Sequence, residues 1–158
     1  MISSRHISAA LVATLAALTM LASCNNEDDV QLSYQHTVQV GLYSMHTHND
    51  TSLTAVQIYG VGRSDSLLYD EDAVSSLFLN MRMAHDTTEF VFRTQTLEDD
   101  LFFTYSRQLV PVSGTAGIAM EITLDSVGYT NTFIDSVAIV YNKVKYNESR
   151  ENVQIFVY

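Results

Sequence analysis

From Val38 to the last residue, apolar side chains recur at every second position, and almost nowhere at the three-to-four spacing of a helix. Val38, Val40 and Leu42 alternate with Gln39, Gly41 and Tyr43. The same period runs through Leu77-Leu79-Met81, Phe90-Phe92, Leu101-Phe103-Tyr105, Ile118-Met120-Ile122-Leu124, Val137-Ile139-Tyr141 and Val153-Ile155-Val157, with a further β-rich run from Leu53 to Val61. Successive side chains of an extended strand point to opposite faces, so this pattern gives strands with one buried and one solvated face. Such one-sided strands belong to antiparallel sheets. The expectation is an all-β domain of about eight strands, folded as an antiparallel two-sheet β-sandwich, Ig-like or related. A small closed β-barrel is the alternative.

Polar segments punctuate the strands. His46–Ser52, Arg63-Ser64-Asp65, Asp70-Glu71-Asp72, His85–Thr88 and Thr96–Asp100 read as breaks or turns, and the glycine-containing loop from Pro111 to Gly117 as a strand entry. Charged residues make up 16% of the chain and apolar ones 47%, a balance that supports a packed core rather than disorder. The formal net charge is −10, and it becomes more negative once Arg5 leaves with the leader described next. Nucleic-acid binding, driven by phosphate neutralisation, is therefore disfavoured.

The first 23 residues have the three parts of a secretory signal. Arg5 and His6 form a basic start, Ile7–Met20 an apolar run, and Ala22 and Ser23 a small-residue cleavage point. Leu21-Ala22-Ser23-Cys24 resembles a bacterial lipobox, at which the leader is removed and the new terminal cysteine lipidated. Cys24 is the one cysteine in the chain, so no intrachain disulfide is open to it. One acyl chain holds a membrane only reversibly, at about 0.8 kcal/mol per buried methylene, whereas two or more anchor stably. The expected organisation is a signal peptide over 1–23, a lipidated tether over 24–33 and a single β domain over 34–158. The acidic run Glu27-Asp28-Asp29 after the cysteine resembles the surface-export signal of Bacteroidetes lipoproteins. That resemblance implies an outer-membrane location, with surface display preferred to a periplasm-facing anchor.

From Ser76 onward a second resemblance enters. Leu77-Phe78-Leu79, Asp86-Thr87-Thr88-Glu89-Phe90-Val91-Phe92, Leu101-Phe102-Phe103-Thr104-Tyr105 and the terminal Asn152–Tyr158 stretch are similar to a family of short Bacteroidetes lipoproteins whose β domain has no assigned function. The resemblance implies location and fold and supplies no active site.

Few residues carry candidate chemistry. His46, His48 and Asp50 would share a face if their segment were extended, which makes them the candidate metal ligands. The acidic clusters Asp70-Glu71-Asp72 and Glu98-Asp99-Asp100 lack the glycine-punctuated spacing of a calcium loop. No nucleophile elbow, phosphate loop or dinucleotide fingerprint is present, and no cofactor is expected. Ser66, Thr87, Ser126 and Ser136 follow aspartate in the manner of the Bacteroidetes O-glycosylation motif. Phe102, Phe156 and Tyr158 fall on the expected outer face as a candidate binding patch. The resulting expectation is a lipid-anchored cell-envelope protein, a non-catalytic binding or structural accessory with an envelope protein or glycan as partner. An exported metal-dependent hydrolase built on His46, His48 and Asp50 is the alternative.

Overall fold

A computed structural model describes residues 36–111, 118–145 and 148–158, apart from the side chains at 71 and 72. The expected signal peptide, Cys24 with its expected tether, and most of the 111–117 loop lie outside the described residues.

Ten strands follow one another with no helix among the described residues: β1 (Thr37–Ser44), β2 (Leu53–Gly60), β3 (Leu67–Val74), β4 (Ser76–Asn80), β5 (Thr87–Arg93), β6 (Glu98–Pro111), β7 (Ile118–Tyr129), β8 (Ile134–Ile139), β9 (Lys143–Val144) and β10 (Val153–Val157). They form two sheets, one of four strands in the order β4-β1-β10-β8 and one of six in the order β3-β2-β5-β6-β7-β9. The all-β sandwich expected from the alternation is the fold, and among the described residues the two sheets share no hydrogen-bonded ladder that would close them into a barrel. Every strand pair is antiparallel except one: β1 and β10 run parallel in the middle of the smaller sheet, with Leu42 opposite Ile155.

The core lies between the sheets, where the in-phase apolar residues meet. Val38, Val40, Leu42, Leu77, Leu79, Val153 and Ile155 of the four-stranded sheet face Val56, Ile58, Phe92, Leu101, Phe103, Ile122 and Leu124 of the other. The Phe90 and Phe103 rings meet edge to face, 6.1 Å apart, the geometry favoured by the ring quadrupoles. Burying each such side chain contributes about 1.5–3 kcal/mol, so the alternation is also the main source of stability.

Two polar segments do not behave as breaks. Asp70-Glu71-Asp72 lies inside β3, with Gln57 opposite Asp70. β3 is an edge strand, where charged residues are tolerated and block pairing with other chains. Only Ser75 separates β3 from β4, so the chain crosses from the larger sheet to the smaller within one residue. Glu98-Asp99-Asp100, expected in a hairpin loop, instead opens β6, opposite Arg93, Phe92 and Val91. Asp99 stands in phase with Leu101, Phe103 and Tyr105 and is buried with them. At the far end, the β6–β7 ribbon carries Leu109 and Ile118 out into solvent, 64% and 72% exposed.

Candidate functional site

The segment 46–50 is a turn. The His48 amide donates to the Ser44 carbonyl at 2.8 Å, and His48 adopts a left-handed backbone with φ of 57°. Period-two geometry does not apply there, which removes the reason for His46, His48 and Asp50 to converge. All three are exposed, and the His48 ring stands edge-on to Phe156 at 5.3 Å. Among the described residues, no group of three or more His, Cys, Asp or Glu side chains is placed to hold a metal ion. The acids of the other clusters are likewise spread apart. Asp70 accepts from Gln57 Nε2 at 3.1 Å, Glu98 pairs with Arg93 at 2.6 Å, and Asp99 turns inward.

The aromatic candidates do not form one patch. Phe102, on the six-stranded sheet, lies over Gly128, whose missing Cβ leaves room for the ring. Phe156, on the four-stranded sheet, packs against Tyr43 at 5.6 Å, while Tyr158 is exposed beside Asn131. Tyr43 also donates to the Glu151 carboxylate, which lies over Gly41 where a side chain would collide with it. Burial, followed by that hydrogen bond and the Glu151 charge, pushes the Tyr43 hydroxyl above its usual range. Ser66, Thr87 and Ser126 are exposed and Ser136 is half-buried.

Alternation alone does not show what the buried polar side chains do. Asp99 is 1% exposed. Its carboxylate accepts the amides of Thr132 (2.8 Å), Phe133 (2.7 Å) and Ile134 (2.8 Å) and the Thr130 hydroxyl (2.7 Å). Burial alone would raise this carboxyl. The hydrogen bonds from Phe133, Thr130, Ile134 and Thr132 outweigh it and hold the group below the usual aspartate range. The Asn152 amide binds Gln39 N, Tyr141 O and Lys143 O at 2.9–3.0 Å and ties the β9–β10 connection to β1. The Thr37 hydroxyl donates to Asn80 Oδ1 at 2.7 Å, which joins β1 to β4. These groups are bound up in holding the chain, which is the usual role of a buried polar atom.

A fourth buried group is tied to the surface. Tyr105 donates its proton to the Arg82 carbonyl at 2.6 Å, so at its 2.7 Å contact with Thr88 it must accept. Thr88 in turn accepts from the Arg82 amide at 2.9 Å. The result is a closed ring of hydrogen bonds that grips the Arg82 backbone on both sides. Nearby, Gly62 supplies the positive φ of 75° that the turn after β2 needs, and Arg63 N donates to Gly60 O at 2.9 Å. Arg63 and Arg82, thus placed on two separate turns, line one depression of about 190 Å³.

Three of the other cations are paired with carboxylates. Arg93 pairs with Glu98 at 2.6 Å, Arg107 with Asp86 at 2.5 Å and Lys143 with Glu121 at 2.8 Å, while Arg150 lies over the Tyr141 ring at 4.0 Å. Among the described residues, neither Arg63 nor Arg82 has a carboxylate within ion-pair distance, in a chain of net charge −10. A larger depression beside β6 contains Arg107, already engaged by Asp86, and another, near residues 51–55 and 94–97, is lined by no Asp, Glu, His, Lys or Arg among the described residues. No linear signal joins Arg63 to Arg82. For Asp99 a signal did exist, since it precedes Leu101 by two residues and so shares the phase of the buried face.

No curated protein and no solved structure matches the chain. A family model does match, over residues 55–157, from within β2 to the end of β10. The match reaches further toward the N-terminus than the resemblance beginning at Ser76, and it takes in Asp99, Thr88, Tyr105 and both unpaired arginines. The chain belongs to a family of unknown function, DUF6452.

Proposed function

We propose that this protein is a lipid-anchored component of the outer membrane that works by binding, not by catalysis. The carrying observation is Cys24, the one cysteine of the chain, directly after an apolar leader and the small residues Ala22 and Ser23. Lipid on that cysteine tethers the β domain through the acidic stretch Glu27-Asp28-Asp29, and the resemblance of that stretch to a surface-export signal favours display on the cell exterior. The partner is an envelope protein or glycan.

The test uses the full gene expressed in its own host. Cys24→Ala is expected to move the protein from the membrane to the soluble fraction, and protease added to intact cells is expected to degrade the wild-type domain while a periplasmic control survives. Retention of Cys24→Ala in the membrane would sink the anchor. Protection of the domain until the outer membrane is opened would reverse its orientation.

A further inference from the structure

We infer that the depression between the β2–β3 turn and the β4–β5 connection is a binding site for a small hydroxylated carboxylate, held by Arg63 and Arg82. The inference deepens the binding role proposed above and rests on it. Two guanidiniums at one site repel each other, and in a chain this acidic a carboxylate partner for each would be easy to supply. The protein supplies one to Arg93, to Arg107 and to Lys143, while Lys145 and Arg150, also outside these ion pairs, do not line this cavity. It leaves Arg63 and Arg82 without one among the described residues, on the walls of the same cavity. An arginine fork presents paired donors that match a carboxylate in plane and spacing, so a carboxylate ligand supplies the counter-charge that Glu89 alone leaves incomplete.

The other walls define what accompanies that charge. Ser66 and Asn80 bring hydrogen-bonding groups, Leu68 and Phe90 an apolar surface, and Glu89 a single carboxylate. Two cations and one anion leave a net charge of +1, which fits a monoanion. Glu89 can only accept, so the matching ligand carries donors beside its acid group, as a sugar acid does with its hydroxyls. At about 190 Å³ the cavity is smaller than the ~300–1,000 Å³ of sites for drug-sized molecules. It accommodates one acidic sugar unit or a comparable hydroxy acid. The strong negative charge elsewhere on the protein repels long polyanions, which further restricts the site to a small acid or an isolated acidic unit of an otherwise neutral chain.

Arg82 is also prepared for this task. The Arg82 N–H to Thr88, Thr88 to Tyr105 and Tyr105 to Arg82 C=O bonds fix both sides of its peptide backbone before any ligand arrives. Little ordering at the root of that side chain is left for binding to impose.

The experiment is a titration of the full chain in detergent, at low salt, followed by calorimetry, with glucuronate as probe and glucose and sulfate as comparisons. Saturable binding of glucuronate, absent with glucose, is expected. Arg63→Gln and Arg82→Gln should each weaken it about tenfold, ~1.4 kcal/mol, with the melting temperature unchanged because both side chains are exposed. Glu89→Gln should weaken glucuronate while leaving any sulfate affinity undiminished. Absence of saturation, equal binding of glucose, binding of sulfate but not glucuronate, or indifference to both arginine substitutions overturns the assignment. A partner captured on the domain by crosslinking and retained by the double arginine variant would overturn this site while leaving the binding role intact. Release of Cys24→Ala from the membrane bears only on the anchor.

Discussion

The Thr88 hydroxyl stands 2.7 Å from the Tyr105 hydroxyl, buried between β5 and β6, and the two together hold the amide and carbonyl of a single surface residue, Arg82. Core and surface are coupled through that contact. Tyr105→Phe and Thr88→Val each leave a partner unsatisfied, so each should destabilise by about 1–3 kcal/mol. Because the bonds close into one ring, the double variant should cost less than the sum of the two. Urea unfolding of the four proteins as a double-mutant cycle checks this, and strict additivity would show that the ring does not act as a unit.

Asp99 makes stability depend on pH with a definite sign. Its carboxyl is held below its usual range when folded, by hydrogen bonds that outweigh burial. The stabilisation is therefore fully present above the ordinary unfolded value of 3.8 and is lost as pH falls through the lower folded value. Asp99→Asn replaces one acceptor oxygen with a donor facing backbone amides and should cost about 3 kcal/mol near neutral pH. Unfolding curves for wild type and variant should converge as the solution is acidified. A constant gap between them would exclude the titration.

The last strand is expected to be indispensable. β10 is hydrogen-bonded on both sides, parallel to β1 and antiparallel to β8, and it buries Val153, Ile155 and Val157. At about 1.5–3 kcal/mol each, those three side chains rival the ~5–15 kcal/mol that separates a folded domain from its unfolded chain. Removing residues 153–158 should abolish cooperative unfolding in circular dichroism. A sharp thermal transition in the truncated chain would refute it.

By contrast, the Arg93–Glu98 pair should matter little. Its N···O distance is 2.6 Å, but both side chains are nearly half exposed, at 46% and 48%. Exposed pairs of this kind contribute about 0–1 kcal/mol. Glu98→Gln should change the unfolding free energy measured in urea by no more than about 1 kcal/mol, and the Arg93 guanidinium should stay over the Tyr59 ring, 5.2 Å from its centre.

A strained position gives the opposite sign. Ala55 has a left-handed backbone, φ 50°, in β2, where its neighbours Thr54 and Val56 pair with Ala73 and Glu71. That conformation costs a non-glycine residue about 1–2 kcal/mol. Asn tolerates it better than Ala, so Ala55→Asn should raise the urea midpoint, and a lowered one would place the strain elsewhere.

Which side chains face inward follows from local alternation. Val38-Val40-Leu42, Leu77-Leu79, Leu101-Phe103-Tyr105 and Val153-Ile155-Val157 are all buried as their alternation requires, because the two-residue period of a strand is a local property. It also carried the all-β class and most strand positions. Asp70–Asp72 and Glu98–Asp100 lie in strands despite their charge density: an edge strand can carry acids, and a buried acid can be satisfied by amides thirty residues away. The parallel pairing of β1 with β10, the bracing of residues 130–134 by Asp99, and the cavity shared by Arg63 and Arg82 arise only in the folded chain. Alternation assigns each residue a face but names no partner strand, and a site assembled from two turns depends on which strands become neighbours.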